Sequence, residues 1–267
     1  MSLFHLFLLA IIQGLTEFLP VSSSGHLILL PGLTGMQDQG QMLDVAVHVG
    51  TLFAVIAFFW TESKAAFRGL AHLVTGRRST DEARLAALLI LATIPVMILG
   101  LVLALSGLDD KMRNITVIGW TMLIFGLVLY WADQKAPTTR VQKDWNLRDA
   151  IVMGLWQAIA LIPGTSRSGA TITGARLLGY TREDAARVAM LMSIPTIIAS
   201  GGFQALKLVG EADLAGAKDG AIAAVMAFIA ALLALSLMMR LLKSVSYTPY
   251  VIYRVILGLI LLAIAYT

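Results

Sequence analysis

Six long apolar stretches, separated by polar or charged residues, dominate the pattern of the chain. They cover residues 42–60, 85–105, 115–132, 186–208, 221–239 and 250–265. An α-helix needs about 20 mostly apolar residues to cross the hydrocarbon core of a bilayer, and each stretch is close to that length. The pattern therefore predicts six transmembrane helices.

A further apolar segment at the N-terminus is interrupted before it can span a membrane. Residues 3–19 lead into Pro20 and the run Ser22-Ser23-Ser24-Gly25, and apolar residues resume at 27–33. Proline removes a backbone donor, and serine side chains compete for backbone hydrogen bonds, so the helix is expected to break here. We predict a re-entrant helical hairpin.

The segment 149–180 repeats this pattern at an offset of 143 to 144 residues. Three spans lie between the two hairpins, and an odd number means that the hairpins enter from opposite faces, which is an inverted-topology repeat. The predicted fold is an all-α polytopic membrane protein with one membrane domain. Its halves are residues 1–132 and 149–267, each a re-entrant hairpin plus three transmembrane helices. The matching residues are Gln13 and Gln157, Pro20 and Pro163, and the runs Ser22-Ser23-Ser24-Gly25 and Ser166-Arg167-Ser168-Gly169, with one residue shifted around the proline.

Lysine and arginine are distributed unevenly between the two sets of loops. The loops at 61–84, 133–148, 181–187 and 240–248 carry thirteen of them. The opposite side carries four, namely Lys111, Arg113, Lys207 and Lys218. Because positive residues concentrate in cytoplasmic loops, both termini are predicted to be extracytoplasmic, with the hairpin tips meeting near the membrane midplane.

Composition agrees with this class of protein. Hydrophobic residues make up 58% of the 267 residues and charged residues 13%, whereas soluble domains carry about 25% charged residues. The absence of cysteine excludes disulfides and cysteine-bound metals. No basic patch is interleaved with aromatic residues, so a nucleic-acid partner is not expected. A homo-oligomer is compatible with the sequence, which leaves the oligomeric state open.

The first hairpin carries polar groups that are costly in hydrocarbon unless they have partners or line a wet cavity. Glu17 is a candidate metal ligand or general base, or else a structural carboxylate paired with arginine. Gln13, one helical turn away, is either a second oxygen ligand for Mg²⁺ or Ca²⁺ or a hydrogen-bonding helix partner. The run Ser22, Ser23, Ser24 and Gly25 precedes a new helix, and the N-terminus of a helix favours the binding of an anion. His26 follows as a candidate catalytic imidazole.

The second hairpin places Arg167 where lipid is expected. A guanidinium pairs bidentately with phosphate or carboxylate, so Arg167 either binds an anionic substrate or pairs with Glu17. Thr171 lies about one turn beyond Ser168 and adds a hydroxyl or packs against a helix. His48 is interpreted as a hydrogen-bonded core histidine, and Arg254 either meets an anion or snorkels to the surface.

These motifs resemble the signature of the bacterial undecaprenyl-diphosphate phosphatases, also called bacitracin-resistance proteins. The residues Gln13 to Glu17 resemble the Glu-or-Gln-x-x-x-Glu motif of that family, and Pro163-Gly164-Thr165-Ser166-Arg167-Ser168-Gly169-Ala170-Thr171 resembles its Pro-Gly-x-Ser-Arg-Ser-x-x-Thr motif. The likeness extends over essentially the whole chain.

The resemblance implies hydrolysis of undecaprenyl diphosphate to undecaprenyl phosphate and inorganic phosphate in the bacterial inner membrane, with a divalent-cation requirement and bacitracin resistance. It implies Ser23 as nucleophile or phosphate-holding hydroxyl and His26 as base or acid. Ser166, Ser168, Gly169 and Thr171 would hold phosphate oxygens. Attack by His26 or by an activated water is the alternative chemistry. A secondary transporter or flippase for an anionic lipid or solute is the alternative function, because inverted repeats with broken helices are typical of transporters.

Overall fold

The computed structural model describes residues 2–35, 40–207 and 214–267, and these ranges are helical apart from their connections. The α-helices are α1 (Leu3–Thr16), α2 (Ser23–Thr34), α3 (Gly40–Phe58), α4 (Trp60–Val74), α5 (Asp81–Ser106), α6 (Leu108–Met112), α7 (Ile115–Lys135), α8 (Leu147–Ile159), α9 (Arg167–Leu177), α10 (Arg182–Lys207), α11 (Leu214–Leu241) and α12 (Thr248–Tyr266).

Six of these helices are long and apolar enough to cross a membrane, which confirms the six predicted spans. They are α3, α5, α7, α10, α11 and α12. Many of their large apolar side chains point outward, as expected for contact with lipid tails. Leu208, the predicted end of the fourth span, lies outside the described residues, as does the side chain of Lys207.

The stretch 61–84, predicted as a charged loop, instead contains α4, so that part of the prediction was wrong. The chain bends at Phe59 and continues directly into Trp60–Val74. Phe67 and Leu70 mark an apolar side of the helix, and Gly69 lets it approach α5 so closely that a Cβ there would lie 1.9 Å from the Glu82 carbonyl oxygen. Phe67 and Leu70 are each 47% exposed, so α4 is held on α5 by the close contact at Gly69 rather than by burial of that apolar side.

The two serine runs form the same turn. Ser22 and Ser166 both have φ of 74°, a left-handed conformation that is uncommon for residues other than glycine. In each turn the serine Oγ accepts a hydrogen bond from the backbone N–H three residues later, from Gly25 at 3.3 Å and from Gly169 at 3.1 Å. Each turn is the last part of the non-helical break in its hairpin, between α1 and α2 in the first and between α8 and α9 in the second.

The tips of the two hairpins meet, as predicted. The Ser168 hydroxyl donates to the Leu19 carbonyl oxygen at 2.9 Å, and Arg167 pairs with Glu17. The face from which each hairpin enters the membrane stays a prediction.

Contacts between the halves are reciprocal. Helix α1 packs on α11, and its counterpart α8 packs on α5, while α3 pairs with α10 and α7 with α12. Small residues permit the close approach: a Cβ on Gly14 would lie 2.5 Å from Ala230 Cβ, and one on Gly154 would lie 2.6 Å from the Ala92 carbonyl oxygen. Both hairpins are thereby held in fixed positions by the spans of the opposite half.

The far end of α9 is anchored by a buried ionic cluster. The Nε atoms of Arg176 and Arg182 donate to Asp133 Oδ1 at 3.2 Å and 2.8 Å. Arg176 is fully buried. The cluster fixes the C-terminal end of the helix whose first residue is Arg167.

Candidate active site

Glu17 is the point at which the two hairpins are joined chemically. It directly follows α1 and is 7% exposed. Its Oε1 accepts from Arg167 Nη2 at 2.8 Å, and its Oε2 accepts from the Ser23 hydroxyl at 2.8 Å and from Gln13 Nε2 at 2.9 Å. A hydroxyl that donates to a buried carboxylate is the arrangement of a nucleophile with its base.

Arg167 pairs with Glu17, which is one of the two alternatives that its sequence position left open. Its Nη2 pairs with Glu17, whereas its Nη1 is buried and has no hydrogen-bond partner in the part of the chain that the structure describes. Burying an unpaired polar group costs free energy, and a guanidinium suits phosphate oxygens in particular. The free N–H group is therefore a ready donor for an anionic ligand.

Two cavities meet at Arg167. One is a polar pocket of about 180 Å³ that holds the Glu17 carboxylate and the serine turns. The other, of about 590 Å³, is largely apolar and runs between α5 and α10. Both are lined by Ala160, Arg167, Thr196 and Ser200. This geometry suits an amphiphile whose charged end lies in the first cavity and whose apolar chain lies in the second.

His26 is oriented by two hydrogen bonds but does not contact the carboxylate. Its Nδ1 lies 2.7 Å from the Ser22 carbonyl oxygen, which can only accept, so Nδ1 carries the proton. In the neutral ring Nε2 then accepts from the Tyr253 hydroxyl at 2.5 Å, and the two rings are stacked. Among the described contacts the partner of Ser23 is Glu17, so the geometry favours Glu17 over His26 as the base for that hydroxyl.

His48 belongs to the site, although the sequence suggested a core histidine. Its Nδ1 donates to the Asp44 carbonyl oxygen at 2.7 Å, and its Nε2 lies 3.7 Å from Glu17 Oε2 and faces the polar pocket. The sequence could have indicated this role through a polar stripe along one face of the first apolar span, formed by Asp44, His48 and Thr51.

Thr196 and Ser200 were also missed. They lie one turn apart on α10 and line both cavities. Their spacing of four residues within an apolar helix was the available signal.

The predicted phosphate-binding residues fall into two groups. Ser22, Ser24 and Ser166 line the polar pocket. The hydroxyls of Ser168 and Thr171 donate to backbone carbonyl oxygens, of Leu19 and Arg167 respectively, and do not line the pocket.

The backbone N–H groups of Gly25 and Gly169, also predicted to bind phosphate, donate to the serines at the starts of their own turns. Their role in the structure is therefore to shape the turns that present Ser22 and Ser166.

Gln13 and Glu17 offer a limited set of ligands for a divalent cation. Gln13 is fully buried, and its Oε1 has no hydrogen-bond partner among the described residues. Within those residues no group of three or more His, Asp or Glu side chains is arranged to hold a metal. Gln13 turns its amide nitrogen, not its oxygen, toward Glu17 and does not line the polar pocket, so its predicted role as a ligand is not supported by this arrangement. A divalent cation in the pocket would be held by Glu17 and substrate phosphate oxygens, rather than in a cage built by the protein alone.

Comparison with known proteins gives matches over nearly the whole chain. The family described as "Bacitracin resistance protein BacA" matches residues 6–260. Proteins named undecaprenyl-diphosphatase from Jannaschia sp. and Dinoroseobacter shibae are 69% and 67% identical to the chain, and each alignment covers 100% of both chains. A protein of the same name from Chromohalobacter salexigens is 44% identical over 98% of both chains.

Proposed function

The chain belongs to the bacitracin resistance protein family, and we propose that it hydrolyses undecaprenyl diphosphate to undecaprenyl phosphate and inorganic phosphate. The names of its relatives support this substrate. The structural observation that carries the proposal is the free Nη1 of Arg167, a buried cationic donor where a polar pocket opens into an apolar cavity. An isoprenoid diphosphate has the matching distribution of charge and hydrocarbon.

In this account the diphosphate occupies the polar pocket and the first isoprene units occupy the cavity between α5 and α10. Met97 and Leu101 on α5 and Phe203 on α10 provide apolar walls. The cavity lies along the C-terminal halves of these helices. The uneven distribution of loop charges favours an extracytoplasmic position for those halves. We therefore propose that the lipid enters from the outer leaflet of the bacterial inner membrane, with both termini extracytoplasmic.

The hydrogen bond between Ser23 and Glu17 supports nucleophilic catalysis. The Ser23 oxygen attacks the terminal phosphorus and passes its proton to Glu17, and the bond from that phosphorus to the bridging oxygen breaks. Undecaprenyl phosphate leaves with the bonding electrons. Water then displaces phosphate from Ser23, and Glu17 returns the proton to the serine oxygen.

Arg167 stabilises the charge that moves during this displacement. Its Nη2 keeps the Glu17 carboxylate in place, and its free Nη1 donates to the phosphate oxygens. Ser22, Ser24 and Ser166 surround the same pocket with hydroxyl groups. A Mg²⁺ or Ca²⁺ ion bound together with the substrate would be held by Glu17 and the phosphate oxygens, and it would supply positive charge that neutralises the phosphate.

Phosphate release from undecaprenyl diphosphate by the purified protein in detergent tests the proposal. We expect release in the presence of Mg²⁺ or Ca²⁺ and its loss with excess chelator. No release by folded protein would support the transporter alternative. Release that is unaffected by chelator would contradict the proposed cation requirement, and the proposed phosphatase activity would stand.

A cavity-filling variant tests where the lipid binds. Gly100 lines the apolar cavity, and a Cβ there would meet only Leu161, at 3.6 Å, so Gly100→Phe adds a ring at the cavity wall. Displacing even two methylene groups costs about 1.6 kcal/mol, so the KM for undecaprenyl diphosphate should rise about tenfold or more. A short alkyl diphosphate should be unaffected. Gly202→Phe is the control, because Gly202 does not line the cavity and a Cβ there meets no atom within 4 Å.

A further inference from the structure

Arg254 is a charged residue buried in the last membrane span with no carboxylate beside it. It is 0% exposed, and no Asp or Glu of the described residues forms an ion pair with it. A charged side chain inside a transmembrane helix is costly and is retained where it meets other polar groups. The partners of Arg254 therefore indicate what it does.

Those partners are five backbone carbonyl oxygens. Nε donates to Met122 at 3.2 Å and Nη2 to Thr121 at 3.4 Å, both on α7. The other three acceptors belong to the breaks of the two hairpins. They are Pro20 at 3.3 Å, Gly164 at 3.1 Å and Thr165 at 2.9 Å.

The hairpin carbonyls lie directly before the two serine turns. Pro20 precedes Ser22 by two residues, and Thr165 precedes Ser166 by one. One guanidinium thus connects both turns to each other and to α7. A side chain with five donors in a rigid plane can do this, whereas the ammonium of lysine has one nitrogen and three donors.

The surrounding chain leaves room for this guanidinium. A Cβ on Gly169 would lie 2.8 Å from Arg254 Nη1, and one on Gly126 would lie 3.3 Å from Arg254 Cβ. The Thr121 hydroxyl adds a bond from α7 to the Pro163 carbonyl oxygen at 2.6 Å. Arg254 does not line the polar pocket, so any effect on the reaction passes through the turns.

We propose that Arg254 is a positioning residue that fixes the serine turns of the two hairpins relative to each other. This inference rests on the proposed diphosphatase function. Holding the turns in register keeps Ser23, from the first hairpin, and Arg167, from the second, on the two oxygens of Glu17 in the same pocket. Misplacement by about 1 Å far from the chemistry can cost about 100-fold in rate.

The test combines kinetics with a distance measurement in Arg254→Lys, which keeps the positive charge but cannot span the five carbonyls. The chain has no cysteine, so Leu15→Cys and Ile159→Cys introduce two unique label sites. Both residues are exposed and lie at corresponding positions on α1 and α8. Spin labels at these sites report the separation of the hairpins whether or not the protein hydrolyses the lipid.

We expect Arg254→Lys to lower kcat by about 100-fold with a KM within about threefold of the wild type, and to broaden the label distance distribution. Arg187→Lys is the control, because Arg187 pairs with the partly exposed Glu62 and lines neither cavity. It should leave both kcat and the label distances unchanged.

Three results would overturn the proposal: a kcat within about twofold of the wild type, a large loss of kcat with unchanged distances, or equal effects from Arg187→Lys. A wild-type protein that releases no phosphate would instead refute the proposed function, and the distances would still test the positioning. If Arg254→Lys does not accumulate, Gly126→Ala displaces the same side chain by a few tenths of an ångström. It must then lower kcat several-fold with the KM retained, and an unchanged kcat overturns the proposal.

Discussion

Replacing Arg167 with lysine keeps the positive charge and removes the forked geometry of the guanidinium. In the wild type Nη2 donates to Glu17 Oε1 at 2.8 Å, while Nη1, which has no partner among the described residues, is the proposed donor to the substrate. Lysine has a single terminal nitrogen. If that nitrogen keeps the pair with Glu17, the transition state loses one directed donor.

The loss of one such donor sets the expected size of the effect. Removing one hydrogen-bond donor that stabilises a transition state costs about 100- to 1,000-fold in kcat, or roughly 2.7–4 kcal/mol. We therefore expect Arg167→Lys to lower kcat by that factor. Because the ground-state substrate retains the attraction of the charge, the KM should change by less than about tenfold, or 1.4 kcal/mol.

Phosphate release under saturating and limiting substrate measures both parameters. Arg187→Lys is the control, because Arg187 pairs with Glu62 on α4, neither residue lines the two cavities, and both side chains are partly exposed. Exposed pairs contribute about 0–1 kcal/mol, so that variant should keep wild-type kinetics. A kcat for Arg167→Lys within about threefold of the wild type would refute the role assigned to Nη1.

Further predictions concern the nucleophile, the imidazole and the topology. Ser23→Ala should lower activity by about 100-fold or more if Ser23 attacks phosphorus, and a loss below about tenfold, or 1.4 kcal/mol, would demote it to a binding role. Tyr253→Phe frees His26 Nε2, so a several-fold change in kcat is expected if the imidazole takes part in proton transfer, and unchanged kinetics would remove it from the reaction. Cysteines placed at Leu3 and Lys64 should be labelled from opposite sides of intact membranes, and labelling of both from one side would contradict the predicted topology.

The architecture of the site could be predicted from the sequence, because the residue types at the helix breaks of the two hairpins identify those breaks. Pro20 and the serine runs mark the points where helices cannot continue, and an odd number of spans between them predicts that the two breaks meet. The pair of Glu17 and Arg167 was one of the alternatives for both residues, because each is too costly to bury alone. The structure adds that Arg167 Nη1 has no hydrogen-bond partner within the described part of the chain.

The direction in which each side chain points could not be predicted from the sequence. Whether Ser168 and Thr171 face the pocket or a backbone carbonyl depends on the rotation of α9, which is fixed by packing against α7, α8 and α10. His48 carries no local motif, and only the approach of α3 to the hairpin places it beside Glu17. Such contacts join residues far apart in the chain, so a local pattern does not specify them.

The most direct test of the central claim, hydrolysis at the junction of the two hairpins, is to follow both possible fates of the lipid in one proteoliposome experiment. Wild-type protein and Arg167→Lys are reconstituted with undecaprenyl diphosphate, and inorganic phosphate, undecaprenyl phosphate and intact lipid in each leaflet are measured over time. The account predicts equal amounts of phosphate and undecaprenyl phosphate from the wild type and a 100- to 1,000-fold slower release, roughly, from the variant. Movement of intact undecaprenyl diphosphate between leaflets without phosphate release would contradict it.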